Sequence, residues 1–126
     1  MKVSENVMIQ ILQAGYGDCI FISIQKEDRL FNILIDGGLA STYYNARERR
    51  NPSGVLKILL DKLKADDDHI DLLICTHVDD DHIGGIRKWF EMAFPTKDFV
   101  REIWINDDVL LADRHDLNNT SAHAAS

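Results

Sequence analysis

The sequence has little of several things, and each shortage excludes something. It contains no apolar run of the roughly 20 residues that a membrane-spanning helix needs. The N-terminus, Met1-Lys2-Val3-Ser4-Glu5, lacks the basic stretch and long apolar run of a secretory signal, so the expected location is the cytoplasm, with no membrane partner. Only 2 cysteines occur, Cys19 and Cys75, and both lie in apolar runs. They read as two reduced core residues rather than a disulfide, with no catalytic role. Basic residues are fewer than acidic ones, 14 against 21, and the net charge of −7 argues against binding nucleic acid by charge alone. Part of that acidity is concentrated in Asp66-Asp67-Asp68 and Asp79-Asp80-Asp81, and carboxylates that hold a divalent cation are neutralised by it.

What is present is enough for one packed domain. The chain has 126 residues, 45% of them hydrophobic. It reads as one domain over residues 1–126, with a core over 6–106 and a polar tail over 107–126. Three β-rich runs come first: Val7 to Gln13, Cys19 to Ile24 and Leu30 to Ile35. They are separated by the Gly-bearing turn Ala14 to Asp18 and the polar turn Lys26 to Arg29, and the close spacing predicts an antiparallel meander. Leu39 to Arg50 shows no period and reads as a loop or short helix. Asn51 is the expected cap and Pro52 the first position of a helix ending near Ala65, with Val55, Leu56, Leu59, Leu60 and Leu63 on one stripe. Ile70 to Thr76 is nearly continuous in apolar residues, as in a strand buried on both faces of a layered α/β fold. A second helix is expected from about Gly84 to Phe94, where Pro95 stops it, followed by a strand over Phe99 to Ile105.

The segment that carries chemistry is Thr76-His77-Val78-Asp79-Asp80-Asp81-His82-Ile83-Gly84-Gly85. Imidazoles and carboxylates crowd together just past a buried strand, the end at which open α/β sheets bind ligands. Such a mixed donor set suits Zn²⁺, Mn²⁺ or iron. Gly84-Gly85 removes bulk beside the cluster and would let a helix begin there, its N–H groups facing an anion. The competing reading is a solvated acidic turn with incidental histidines.

This string resembles the His-x-His-x-Asp-His signature of the metallo-β-lactamase superfamily, with Asp79 in place of the second histidine. It is most similar to the branch containing the DNA-uptake competence protein, whose pattern Thr-His-x-Asp-x-Asp-His-Ile-Gly-Gly matches Thr76 to Gly85. Gly15-Tyr16-Gly17-Asp18 and Ile33-Leu34-Ile35-Asp36-Gly37-Gly38 look like that branch's two upstream turns. The resemblance implies an αββα sandwich, of which this chain is the N-terminal ββα half with a mixed sheet. It implies one or two divalent ions, Zn or Mn, with His77 and Asp79 serving one and Asp81 and His82 the other. Asp81 and His82 would also be the catalytic pair, and Asp36 would orient a ligand or the motif loop from behind, unless it is simply a turn aspartate. Asp18 is as readily a structural turn residue, Asp80 is expected to face solvent or lend weak support, and Thr76 is expected to hydrogen-bond within the loop. Asp79 in place of histidine favours harder ions such as Mn²⁺.

The implied activity is a metal-dependent hydrolase, a phosphodiesterase or nuclease that attacks with metal-activated water, acting on a phosphoester or nucleic acid. Arg47, Arg49, Arg50, Arg87 and Lys88 are candidate phosphate contacts, a solvated surface being their commoner role. The alternative is a non-catalytic or split module acting in assembly or regulation. Further ligands would come from a second half. His69 precedes the fourth predicted strand, and His115, Asp116 and His123 are the downstream candidates in this sequence. The chain is therefore expected to be a truncation, or a half completed by a complementing C-terminal half or by a homo-oligomer. An isolated half leaves an open edge and an apolar face, which favours association.

Overall fold

The computed structural model describes residues 5–15 and 17–105. Tyr16 and residues 106–126, which include His115, Asp116 and His123, lie outside the described residues. The architecture is a mixed five-stranded sheet in the order β1-β2-β3-β4-β5 with two helices, the α+β arrangement expected of a metallo-β-lactamase-type half. β1 (Glu5–Ile11), β2 (Ile20–Lys26) and β3 (Arg29–Ile35) form the antiparallel meander. β4 (Leu72–Cys75) then pairs parallel to β3, and β5 (Ile103–Ile105) parallel to β4. Parallel neighbours need a crossover, and α1 (Val55–Ala65) and α2 (Asp80–Ala93) supply the two.

Both helices pack on one face. Phe21, Leu34, Leu73 and Cys75 of the strands meet Leu56, Leu60 and Leu63 of α1 and Ile86 and Trp89 of α2 in a single buried cluster. Trp89, at 1% exposure, stands edge-on to Phe90 and to Phe99 at centroid distances of 5.1 and 6.3 Å. The opposite face is built differently. Registers and the two-residue alternation of strands place Val7, Ile9 and Ile11 beside Ile24, Ile22 and Ile20. These continue into Phe31, Ile33 and Ile35, then into Leu72 and Ile74, and finally Trp104. None of these residues joins the buried cluster.

Three polar side chains inside the sheet satisfy one another. The Ser23 hydroxyl donates to Asn32 Oδ1 at 2.7 Å, and the Asn32 backbone N–H donates to Asp71 Oδ2 at 2.8 Å. Asn32 Nδ2 donates to the His69 carbonyl at 2.7 Å, while His69 Nε2 lies 2.8 Å from Asp71 Oδ1. Apart from the His69–Asp71 pair, these bonds join β2, β3 and the segment leading into β4, so they help fix the register, as a satisfied buried network does. His69 is committed here, at the end of β4 away from His77.

Several expected boundaries move, each for a tertiary reason. Asn51 and Pro52 neither cap nor start the first helix; Gly54 is its N-cap. The Pro52 carbonyl accepts from Asn45 N–H at 2.7 Å, Ser53 bridges to Tyr44, and Gly54 N–H donates to the Tyr43 carbonyl at 2.9 Å. These ties hold the chain extended until Val55. The second helix begins at Asp80, four residues before Gly84, so Gly84-Gly85 does not form an N-terminal anion cradle. Phe99 and Val100 belong to the core rather than to the last strand, which is shortened to Ile103–Ile105. Between the third strand and α1 lies a short 3-10 turn, Ala40–Thr42, within the stretch that carries no period.

Candidate functional site

Three sequence segments converge where β3 and β4 end: the turn after β1, the turn after β3, and the first turn of α2. Backbone hydrogen bonds join them. Asp18 N–H donates to the Asp81 carbonyl at 3.1 Å, Gly37 N–H to the His82 carbonyl at 2.7 Å, and Gly85 N–H to the Gly38 carbonyl at 2.8 Å. Such close approach of backbones requires glycine. A Cβ on Gly85 would stand 2.0 Å from the Gly37 oxygen, and one on Gly17 would stand 2.4 Å from the Asp81 oxygen. The two glycines after His82 therefore serve packing against the Asp36-Gly37-Gly38 turn.

At the centre of this junction is Asp36, 2% exposed, with a left-handed backbone at φ 61°. A positive φ is an uncommon state for a residue with a side chain, and such residues gather at functional sites. The carboxylate it aims is fully used. Oδ1 accepts from Thr76 N–H at 2.8 Å, while Oδ2 accepts from the Thr76 hydroxyl at 2.5 Å and from His82 Nδ1 at 3.0 Å. Thr76 Oγ1, its proton directed to Asp36, lies 3.1 Å from His77 Nδ1 and can only accept there. One carboxylate thus sets both imidazoles, His82 directly and His77 through the threonine. In each neutral ring Nδ1 carries the proton and Nε2 keeps its lone pair.

The remaining donors surround these rings loosely. The His77 and His82 ring centroids are 4.7 Å apart. Asp81 Oδ1 is 3.8 Å from His82 Nε2, and Asp18 Oδ2 is 3.5 Å from His82 Nδ1. Asp79 caps α2 by position, its carbonyl accepting from His82 and Ile83 N–H at 2.9 Å, while its side chain makes no cap bond. Asp80 is exposed, with Arg87 Nη1 at 3.4 Å. Lys88 faces Glu91 at 3.8 Å, and Arg47, Arg49 and Arg50 lie exposed on the loop before α1. The Asp36 hydrogen bond, aided by the negative charges of Asp36, Asp81 and Asp18, raises the His82 pKa above the ordinary 6.5. Burial first, and the Asp36 charge second, push the Cys19 and Cys75 thiols up to about 12, so both are inert core groups as expected.

The donor chemistry fits a divalent cation. Both imidazoles are backed through Nδ1, the carboxylate–histidine arrangement that orients metal ligands through Nε2. Among the described residues, however, no group of three or more His, Cys, Asp or Glu side chains already stands close enough to hold an ion. Asp79 is exposed and Asp81 half-exposed beside these rings. The role of Thr76 and the contact of Asp18 with the motif were not legible as site features, because both depend on partners about 40 residues or more away in sequence.

Comparison with known families agrees with the geometry. Searches among curated proteins and among solved structures return no match. A family model described as the metallo-beta-lactamase superfamily matches residues 13–104, which contain all three converging segments, and the chain belongs to that superfamily.

Proposed function

We propose that this chain carries one half of a metal-dependent phosphodiesterase or nuclease site. His77 and Asp79 would hold one divalent ion, and Asp81 and His82 a second. The superfamily generally binds divalent metals and is mostly hydrolytic; the phosphodiester substrate rests on the likeness of Thr76 to Gly85 to the competence-protein branch. The observation that carries the reading is Asp36, a buried carboxylate that fixes the tautomer of both His77 and His82.

When bound, a Zn²⁺ or Mn²⁺ ion would supply Lewis acidity and make water nucleophilic at neutral pH. The protein's own groups do the rest. Asp36 and Thr76 keep two Nε2 lone pairs turned outward. Asp81 and His82 lie at the start of α2, whose N-terminal dipole favours the negative charge of a phosphoester and of the developing transition state. In hydrolysis the water oxygen forms a new P–O bond, the bond to the leaving oxygen breaks, and the water proton ends on the leaving group. In this reading Asp81, whose side chain is 40% exposed, would also relay that proton when it is not bound to the ion.

The test is metal analysis of the purified chain together with turnover of a generic phosphodiester in Mn²⁺ or Zn²⁺. Bound metal and turnover, both lost in Asp81→Ala/His82→Ala with the fold retained, are expected. A native chain that never takes up metal, or a double variant that still turns over, overturns the assignment.

A further inference from the structure

We infer that the loop from Asn45 to Pro52 is a phosphate grip, whose three arginines, Arg47, Arg49 and Arg50, hold the sugar-phosphate chain of a nucleic-acid strand beside the site at the start of α2. The inference deepens the phosphodiesterase reading and rests on it for the bond that is cut. Its first support is topological. β3 and β4 are parallel neighbours joined through α1, so α1 runs back against them and its N-terminus stands level with their carboxyl ends. The chain between Asp36 and Val55 therefore lies at the same end of the sheet as Thr76 to His82, the end at which such sheets bind ligands. The root of the loop is also tied to the site. The 3-10 turn Ala40–Thr42 follows the Asp36-Gly37-Gly38 turn directly, and a Cβ on Gly84 would stand 2.8 Å from Ala40 N, so this turn rests on the opening of α2.

The backbone sets the shape of the loop and leaves its cations free. Tyr44 bridges Ser53, and Asn45 N–H donates to the Pro52 carbonyl at 2.7 Å. Within the tip, Glu48 N–H donates to the Asn45 carbonyl at 3.1 Å and Arg47 N–H to Asn45 Oδ1 at 3.2 Å. The three guanidinium groups take no part. All three arginines are exposed, and among the described residues none makes an ion pair or a side-chain hydrogen bond. The basic residues of the two helices, by contrast, are each engaged by an acid or an aromatic ring. The loop has one acid, Glu48, so it is a positive knob on a chain of net charge −7. Asp18 and Asp79 to Asp81 repel a strand that approaches the site, and the knob offsets them. A guanidinium grips phosphate in a bidentate way, and a loop already held in shape loses little freedom on binding. Three such groups outside the scissile position call for further phosphates, which a nucleic-acid strand has and a small diester lacks. A lipid surface is the poorer match, because from Asn45 to Asn51 the one apolar side chain is Ala46.

The test is the fluorescence anisotropy of a fluorescein-labelled single-stranded oligodeoxynucleotide titrated with the intact chain in EDTA, where binding is read without cleavage, over a range of NaCl concentrations. Binding that weakens with salt is expected. In Arg47→Gln/Arg49→Gln/Arg50→Gln the slope of log Kd against log salt should fall by about 2, three phosphate contacts at about 0.7 each. Arg47→Lys/Arg49→Lys/Arg50→Lys keeps the charge and should keep most of the slope. Lys62→Gln/Lys64→Gln/Lys97→Gln removes the same charge at the opposite end of the sheet, from the last turn of α1 and the segment after α2, and should leave the slope as it is. With Mn²⁺ present, the arginine-to-glutamine variant should lose about 10-fold more turnover of the oligonucleotide than of bis(p-nitrophenyl) phosphate, mainly through KM. A native chain that does not bind the strand overturns the inference, as does a glutamine variant with the native slope or a lysine control that loses as much. Preference for phosphatidylserine vesicles over the strand overturns it too. Arginine-dependent binding by a chain that takes up no metal and turns over neither ester supports the grip and overturns the hydrolase reading instead.

Discussion

Asp36 Oδ2 stands 3.0 Å from His82 Nδ1, across 46 residues of sequence, and the same carboxylate reaches His77 through Thr76. A metal ligand's affinity depends on such a partner, because it removes the cost of orienting the ring at the moment of binding. Asp36→Asn keeps the size and can still accept one hydrogen bond, but loses the charge. The expected result is a loss of Zn²⁺ or Mn²⁺ affinity of about 10–100-fold by calorimetric titration, with the far-ultraviolet dichroism unchanged. An unaltered affinity would show that Asp36 is only a turn residue.

Gly85 offers a stability test of the same junction. A methyl group there would meet the Gly37 oxygen at 2.0 Å, and neither backbone is free to retreat, since Gly37 and Gly85 are both hydrogen-bonded across the contact. Overpacking of this kind typically destabilises by about 1–3 kcal/mol. Gly85→Ala should therefore lower the urea midpoint and, by pushing α2 away from the turn, weaken metal uptake as well. A variant as stable as the native chain would contradict the packing described.

The buried thiols give a pH signature. Below the ordinary value of 9.0, Cys19 and Cys75 are neutral in folded and unfolded chains alike, and contribute no pH dependence. Above it the unfolded chain ionises, while the folded chain holds its thiols neutral up to about 12. Stability therefore falls as pH rises from about 9 toward 12. Urea midpoints at pH 8 and pH 10 should differ more in the native chain than in Cys19→Ala/Cys75→Ala, and neither thiol should react with a disulfide reagent at pH 8 until urea unfolds the protein. Immediate labelling of the folded chain would refute their burial.

The strands were readable because their signal is local. Ile20 to Ile24 and Ile33 to Ile35 alternate between two apolar faces, and Leu72 to Cys75 is apolar throughout, so composition alone separates them from the turns. The proposed metal motif was legible for the same reason: its donors are neighbours in sequence. Helix starts were not, because their determinants are remote. Pro52 looks like a first helical residue until its carbonyl is seen to be engaged by Asn45. Gly84 and Gly85 look like a helix start until Asp18 and Gly37 are found hydrogen-bonded to the turn before them. Asp36 could be suspected from its place before two glycines, but its hold on Thr76 exists only once β3 and β4 lie side by side.

The three hydrogen bonds that tie the opening turn of α2 to Gly37, Gly38 and Asp18 bear on how the chain acquires its chemistry. The stretch from Thr76 to Gly85 contains all the proposed ligands, but the groups that fix them, Asp36 and the Gly37–Gly38 and Asp18 backbones, lie outside it. They sit on loops laid down about 40 and 60 residues earlier in synthesis, and such distant contacts close slowly. The orientation of the histidines therefore depends on contacts of long sequence separation, and a peptide cut to the motif alone would lack the Asp36 partner that sets them.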